Sequence, residues 1–274
     1  MMLEFLYKTL PGRIILKLLV NPQISVLCGR FLDSPLSKVL IKPFVRKNHI
    51  DLSLFYSSDF RCFNDCFMRK IRPEFRKFDE CSEAFSAPCD GLLSVYDVTD
   101  DLVIPVKGSS YSISRLLHSK KLASYYDGGY CLVYRLCVDN YHRYSYLDNG
   151  TKGDNHFIQG KLHTVRPIAL YHVPVFTENS REYTVMKTEH FGKIVQMEVG
   201  AMLVGKIVNH HERCDFARGE EKGYFMYGGS TIIVLARKDK VCVDERFIDA
   251  TRAGHESPVI MGEKIGYSIR KTPV

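Results

Sequence analysis

From about residue 85 to the C-terminus the chain is a succession of short runs rich in Val, Ile, Tyr and Phe, each bounded by Gly, Asp or Asn. The runs at 92–98, 130–138, 194–199, 202–208, 224–227 and 231–236 have the length and β-branched content of strands. Val199-Gly200-Ala201 and Tyr227-Gly228-Gly229 mark places where a strand bends or a backbone must approach closely. One helix is predicted within this region, over 112–122, with Ile113, Leu116 and Leu117 turned to the core. Residues 85–274 should therefore form a mainly antiparallel β body.

The first fifty residues are of another kind. Lys8, Arg13, Lys17, Arg30, Lys38, Lys42, Arg46 and Lys47 face only Glu4 and Asp33, a net charge of +6, whereas residues 51–274 carry +1. Ile14, Ile15, Leu18 and Leu19 form one apolar face, and Leu36, Val39, Leu40 and Val45 continue at helical spacing. Pro11, Pro22, Pro35 and Pro43 cut the stretch into short helices. The fold class expected is α+β: a basic, short-helix, membrane-associated region over 1–80, then a β-rich catalytic domain over 85–274. Such a start suits an anionic lipid surface, with apolar side chains entering the interface and Lys and Arg meeting headgroups. An amphipathic helix packed on its own domain has the same pattern. The basic residues are not interleaved with stacking aromatics, so a nucleic-acid partner is not expected.

No window holds 18 consecutive apolar residues, so no helix is expected to span a bilayer. Lys8, Arg13 and Lys17 interrupt every stretch that could serve as a signal peptide. Nine cysteines, with no Cys-x-x-Cys pair, argue for reduced thiols rather than a disulfide framework or zinc ribbon, and no metal site is expected. The expected location is peripheral, on the cytoplasmic side of the cell membrane.

Three short segments of the β body carry chemistry. Gly228-Gly229-Ser230-Thr231 lies between two apolar runs, and Asp90-Gly91 precedes Leu92-Leu93-Ser94-Val95. Either segment alone reads as a turn. Asp139-Asn140-Tyr141-His142-Arg143-Tyr144 is a polar and aromatic cluster at the end of a strand, where a single histidine is usually structural. Their order along the chain is more informative than any one of them.

With Asp90, His142 and Ser230 in that order, the sequence resembles the phosphatidylserine decarboxylase family of pyruvoyl enzymes. The resemblance begins at Phe63-Asn64-Asp65-Cys66-Phe67-Met68-Arg69-Lys70 and continues through Pro88-Cys89-Asp90-Gly91 and Tyr141-His142-Arg143. Gly160-Lys161-Leu162-His163-Thr164-Val165, residues 178–183 and 199–205, and Gly228-Gly229-Ser230-Thr231 complete it. It implies a precursor that cuts itself between Gly229 and Ser230 into a large subunit (1–229) and a small one (230–274). Ser230 Oγ would attack the Gly229 carbonyl, with His142 as base and Asp90 orienting it, as in serine-protease triads. β-Elimination and hydrolysis would then turn Ser230 into a pyruvoyl cofactor, which forms a Schiff base with phosphatidylserine and accepts the electron pair left by CO₂. His142 is also the candidate proton donor to the product, phosphatidylethanolamine. The family's Tyr-His-Arg-x-His pattern often has a second histidine where this chain has Ser145, so His163 is kept as an alternative base. A pyruvoyl decarboxylase of a soluble amino acid, and a non-catalytic membrane-binding β module, are the competing readings; a homo-oligomer is left open.

Overall fold

The computed structural model describes residues 2–99, 103–106, 109–201, 206–228 and 230–269. Four helices lead the chain: α1 (Met2–Lys8), α2 (Leu10–Leu19), α3 (Pro22–Asp33) and, after a 3-10 turn over Pro35–Leu40, α4 (Ile41–Lys47). Side chains set their starts. Thr9 Oγ1 accepts from the N–H of Gly12, and Asn21 Oδ1 from that of Gln23, each ahead of a proline in the first turn. At Gly12 a Cβ would lie 2.0 Å from the Phe5 carbonyl oxygen, so only glycine lets α1 and α2 cross this closely. A fifth short helix, α5 (Phe63–Phe67), follows before the first strand at Ala84.

The body is built on an eight-stranded antiparallel sheet. Its order is Cys214–Phe216, Gly150–Ile158, Arg181–Thr188, Gly192–Val199, Ser230–Ala236, Tyr130–Leu136, Gly91–Asp97 and Ser257–Val259. Ser230–Ala236 is central and buried at every position, which is why it reads as a continuous apolar run rather than an alternating one. Ser230 itself lies opposite Leu136. A second sheet joins Ala84–Ser86, Lys264–Ser268 and Val241–Val243, and a third joins Ile207–Asn209, Glu221–Phe225 and Arg143–Ser145. The α+β class expected from the sequence is the class observed.

Several local expectations are corrected. The helix expected over 112–122 is two helices, α6 (Ile113–Leu117) and α7 (Lys120–Ser124). His118 in a left-handed conformation (φ 50°) ends the first, and Ser119 caps the second. Of the run expected at 202–208, residues 202–205 lie outside the described residues and a strand is found only at Ile207–Asn209. Neither glycine-containing segment is a hairpin. Glu221–Phe225 belongs to the third sheet and Ser230–Ala236 to the eight-stranded one, and Asp90 leads into Gly91–Asp97, whose neighbours are Tyr130–Leu136 and Ser257–Val259.

The N-terminal helices join the body in two places. Leu6, Tyr7, Leu16 and Val20 belong to the main core. Leu32 of α3 and Ile41 of α4 pack with Phe60, Phe63, Cys66 and Phe67 in a smaller cluster that includes Tyr227 at its edge.

Candidate active site

Ser230 opens the central strand, wholly buried, and its Oγ has no hydrogen-bond partner among the described residues. The preceding Gly228 has φ 136°, a backbone conformation that a residue with a Cβ rarely adopts. Gly229, the expected acyl side of the cut, lies outside the described residues.

His142 is also wholly buried. Its Nδ1 is 2.9 Å from the Asn140 carbonyl oxygen, an acceptor, so Nδ1 carries the proton and Nε2 presents a lone pair. That Nε2 has no partner among the described residues. The imidazole lies 4.1 Å from the Phe67 ring, tilted by 40°, Phe67 meets Tyr227 edge-on at 5.2 Å, and the His142 carbonyl accepts from the N–H of Phe225. His142 is thus packed against the chain just upstream of Ser230. Burial holds its pKa far below the ordinary value, at about 3, and the Arg69 guanidinium pushes the same way.

Arg69 is a site residue that the sequence reading does not single out. It is 3% exposed and donates to the carbonyls of Cys66, Asp139 and Asn140, the last being the group that orients His142. The signal available is its place in Cys66-Phe67-Met68-Arg69, a motif that enters only as part of the resemblance.

Asp90 is not joined to His142. Its carboxylate accepts two hydrogen bonds from Arg76, at 2.7 and 2.5 Å, and a third from the N–H of Met261 at 2.9 Å. Ser145 lies alongside: its N–H donates to Pro88, and its hydroxyl contacts Met261 Sδ at 3.1 Å. No hydrogen bond links the side chains of Asp90, His142 and Ser230. The Asp90 carboxylate acts on the charge of Arg69, and Arg69 in turn on His142.

His163 sits elsewhere in the hydrogen-bond network. Its Nδ1 meets the Tyr7 hydroxyl at 3.2 Å, its Nε2 is 3.7 Å from Glu178, and it lines a hollow under α2 with Arg13, Leu16 and Lys17. Among the described residues one group could offer three metal ligands, Asp148, Glu189 and His190, and it contains none of the candidate residues. His190 is bonded through Nδ1 to the buried Asp148 at 2.9 Å.

Two cavities approach Ser230. An apolar groove of about 930 Å³ runs between α3 and α4 past Leu27, Phe31, Phe44 and Phe63 to Tyr227. A second, of about 560 Å³, reaches Gly228 and is lined by Arg135 and Asp139. The two share Asn48, Val138, Arg166 and Tyr227 as walls.

A model of the phosphatidylserine decarboxylase family matches residues 63–267. A phosphatidylserine decarboxylase proenzyme 2 of Clostridium acetobutylicum is 42% identical over 265 residues, 96% of this chain and 91% of the relative. Phosphatidylserine decarboxylase proenzymes of Ruminiclostridium cellulolyticum and Desulfitobacterium hafniense are 41% and 38% identical, over 98% and 97% of this chain and 92% and 91% of their own lengths.

Proposed function

The chain belongs to the phosphatidylserine decarboxylase family and is a carboxy-lyase that converts phosphatidylserine to phosphatidylethanolamine; we propose that it does so with a pyruvoyl group made from its own Ser230. The observation that carries this reading is a pair of orphaned atoms, Ser230 Oγ and His142 Nε2. Both are buried without a partner among the described residues, one a weak nucleophile and the other a base with a free lone pair. In the precursor, Ser230 Oγ attacks the Gly229 carbonyl carbon and gives its proton to His142 Nε2. The Gly229–Ser230 C–N bond breaks as the nitrogen takes that proton back, leaving an ester. The Asn140 carbonyl orients the imidazole in the way a triad carboxylate does. Asp90, anchored by Arg76, contributes through Arg69, offsetting part of the charge that keeps His142 neutral.

The pyruvoyl group, once formed, supplies a ketone for the substrate's amine and a sink for the electron pair released with CO₂. His142 Nε2 would take the proton that the substrate's ammonium must shed before its nitrogen can attack, and return it at the carbon that lost the carboxylate, its burial keeping water from competing.

The location proposed is the surface of an anionic membrane. Leu10, Ile14 and Leu18 of α2, Leu27 of α3, and Leu36 and Val39 after it are 64–78% exposed, among seven basic side chains of residues 13–47. Among the described residues no single helix is long and apolar enough to cross a membrane, but α2 and α3 together, bent by 63°, have the length and composition for a broken span or a re-entrant pair. Exposed apolar surface of this extent marks an interaction site. The groove between α3 and α4 opens from this face, as a lipid substrate requires.

The mass of the denatured protein tests the proposal. Cleavage before Ser230 predicts pieces of 229 and 45 residues, the smaller blocked at its N-terminus, and Ser230→Ala should stay whole and inactive. Active protein found only as a single full-length chain overturns it.

A further inference from the structure

We infer that Arg166 is the residue that binds the lipid's phosphodiester and so sets how deep the serine headgroup reaches; this rests on the reading of Ser230 given above. Arg166 is one of four residues shared by the walls of the two cavities, and its position there is distinctive. On one side lies the apolar groove, whose lining suits acyl chains; on the other, the cavity that ends at Gly228. In phosphatidylserine the phosphodiester is the anion at the boundary between the apolar and headgroup parts, the carboxylate lying beyond it with the amine. Arg166 is the arginine at the corresponding boundary of the protein.

The charges around it favour this use. Arg135, also on the inner cavity, is neutralised by Glu256 through contacts of 3.0 and 2.6 Å. The Arg166 guanidinium has no hydrogen bond or ion pair among the described residues, so its donors are free for an incoming oxyanion. Lys47, on the outer groove, adds a second cation on the acyl side. Asp139 is the carboxylate on the inner cavity and has the sign to meet the substrate's ammonium. Only two carbons separate the phosphate ester oxygen from the amine, so a phosphate held by Arg166 confines the amine to the inner cavity. Guanidinium offers bidentate donors to phosphate, which fixes orientation as well as affinity.

The same chemistry would accept a free phosphate, and the test separates the two sources. Arg166→Gln and Arg166→Lys are compared with the unaltered chain for subunit formation and for KM and kcat on short-chain phosphatidylserine below its micelle concentration. Arg166→Gln should form both subunits normally and raise KM about tenfold to a hundredfold with kcat little changed, since the contact is made before and during reaction alike. Arg166→Lys should recover part of the loss. In a second arm, calorimetry on the Ser230→Ala chain reads binding of dihexanoyl phosphatidylserine and of inorganic phosphate, with and without Arg166→Gln. Lipid binding that weakens in the double variant, with much weaker binding of inorganic phosphate, supports the inference. An unchanged KM, a loss confined to kcat, or inorganic phosphate binding as tightly as the lipid overturns it. Failure of the parent chain to divide would refute the Ser230 reading, while the calorimetric arm still decides on Arg166.

Discussion

His142 and Asp90 differ in how they are held, and the difference separates their roles. His142 is oriented by a backbone carbonyl and has a free Nε2; Asp90 is locked by Arg76 and Met261. Removing the base of an activated nucleophile costs several powers of ten. His142→Ala should therefore abolish division of the chain within days, while His163→Ala, which unlinks Tyr7, should leave it intact. Mass spectrometry of both variants decides, and the reverse pattern would transfer the base role to His163. Arg76→Met would leave a nearly buried carboxylate without its cation, at about 3 kcal/mol or more of stability. The pH dependence follows from the burial of His142. Its folded pKa, about 3, lies below the unfolded value of about 6.5, so between these values the unfolded chain binds the extra proton. The stability from this group is complete above about pH 6.5 and is lost as pH falls toward 3. Denaturant melts of Ser230→Ala at a series of pH values should show that decline, and it should flatten in Ser230→Ala/His142→Phe.

The helix α2 shows how an amphipathic pattern acquires its direction. Gly12 and Leu16 are buried, with Gly12 against α1, while Leu10, Ile14, Ile15 and Leu18 face outward. Of the apolar stripe read from the sequence, Ile14, Ile15 and Leu18 are thus exposed, and only Leu19 packs against the core. Each such side chain is worth about 1.5–3 kcal/mol on transfer from water, so Ile14→Glu/Leu18→Glu should cut vesicle binding even at high salt. The melting temperature of this variant should stay close to that of the parent, because exposed positions change stability little. Loss of positive charge has a different signature: Arg13→Gln/Lys17→Gln should weaken binding at low salt and make little difference at high salt, where the charges are screened. Co-sedimentation with anionic vesicles across a salt series reads both; equal binding by the Glu variant would place the membrane contact on the β body.

At the scale of the molecule, the proposed cut falls at the start of a strand held on both sides. Ser230–Ala236 is bonded on one side to Gly192–Val199 and on the other to Tyr130–Leu136. The same 45-residue piece supplies Val241–Val243, Ser257–Val259 and Lys264–Ser268 to two sheets. The two pieces should therefore co-elute on size exclusion in native buffer and separate only in denaturant. Separation in native buffer would show that the central strand is released on division.

Local pattern was enough for the class of the fold, the basic start and five of the sixteen described strands, the central Ser230–Ala236 among them; the candidates Asp90, His142 and Ser230 came from the family resemblance. A strand declares itself by β-branched runs, whereas Gly-Ser between two such runs reads as a turn. Which distant groups meet is a matter of packing, and no local pattern records it. The strands at 150–158 and 181–188 escape a sequence reading because their polar and charged residues mask the alternation, Lys152, Arg181 and Thr184 being buried there with partners. That Asp90 pairs with Arg76 rather than His142, and that Arg69 holds the Asn140 carbonyl that orients His142, follows no spacing rule. Nor could the pattern of α2 say which way its apolar stripe would face. Periodicity records that a face is apolar, but whether protein or another phase covers it depends on the shape of everything packed around it.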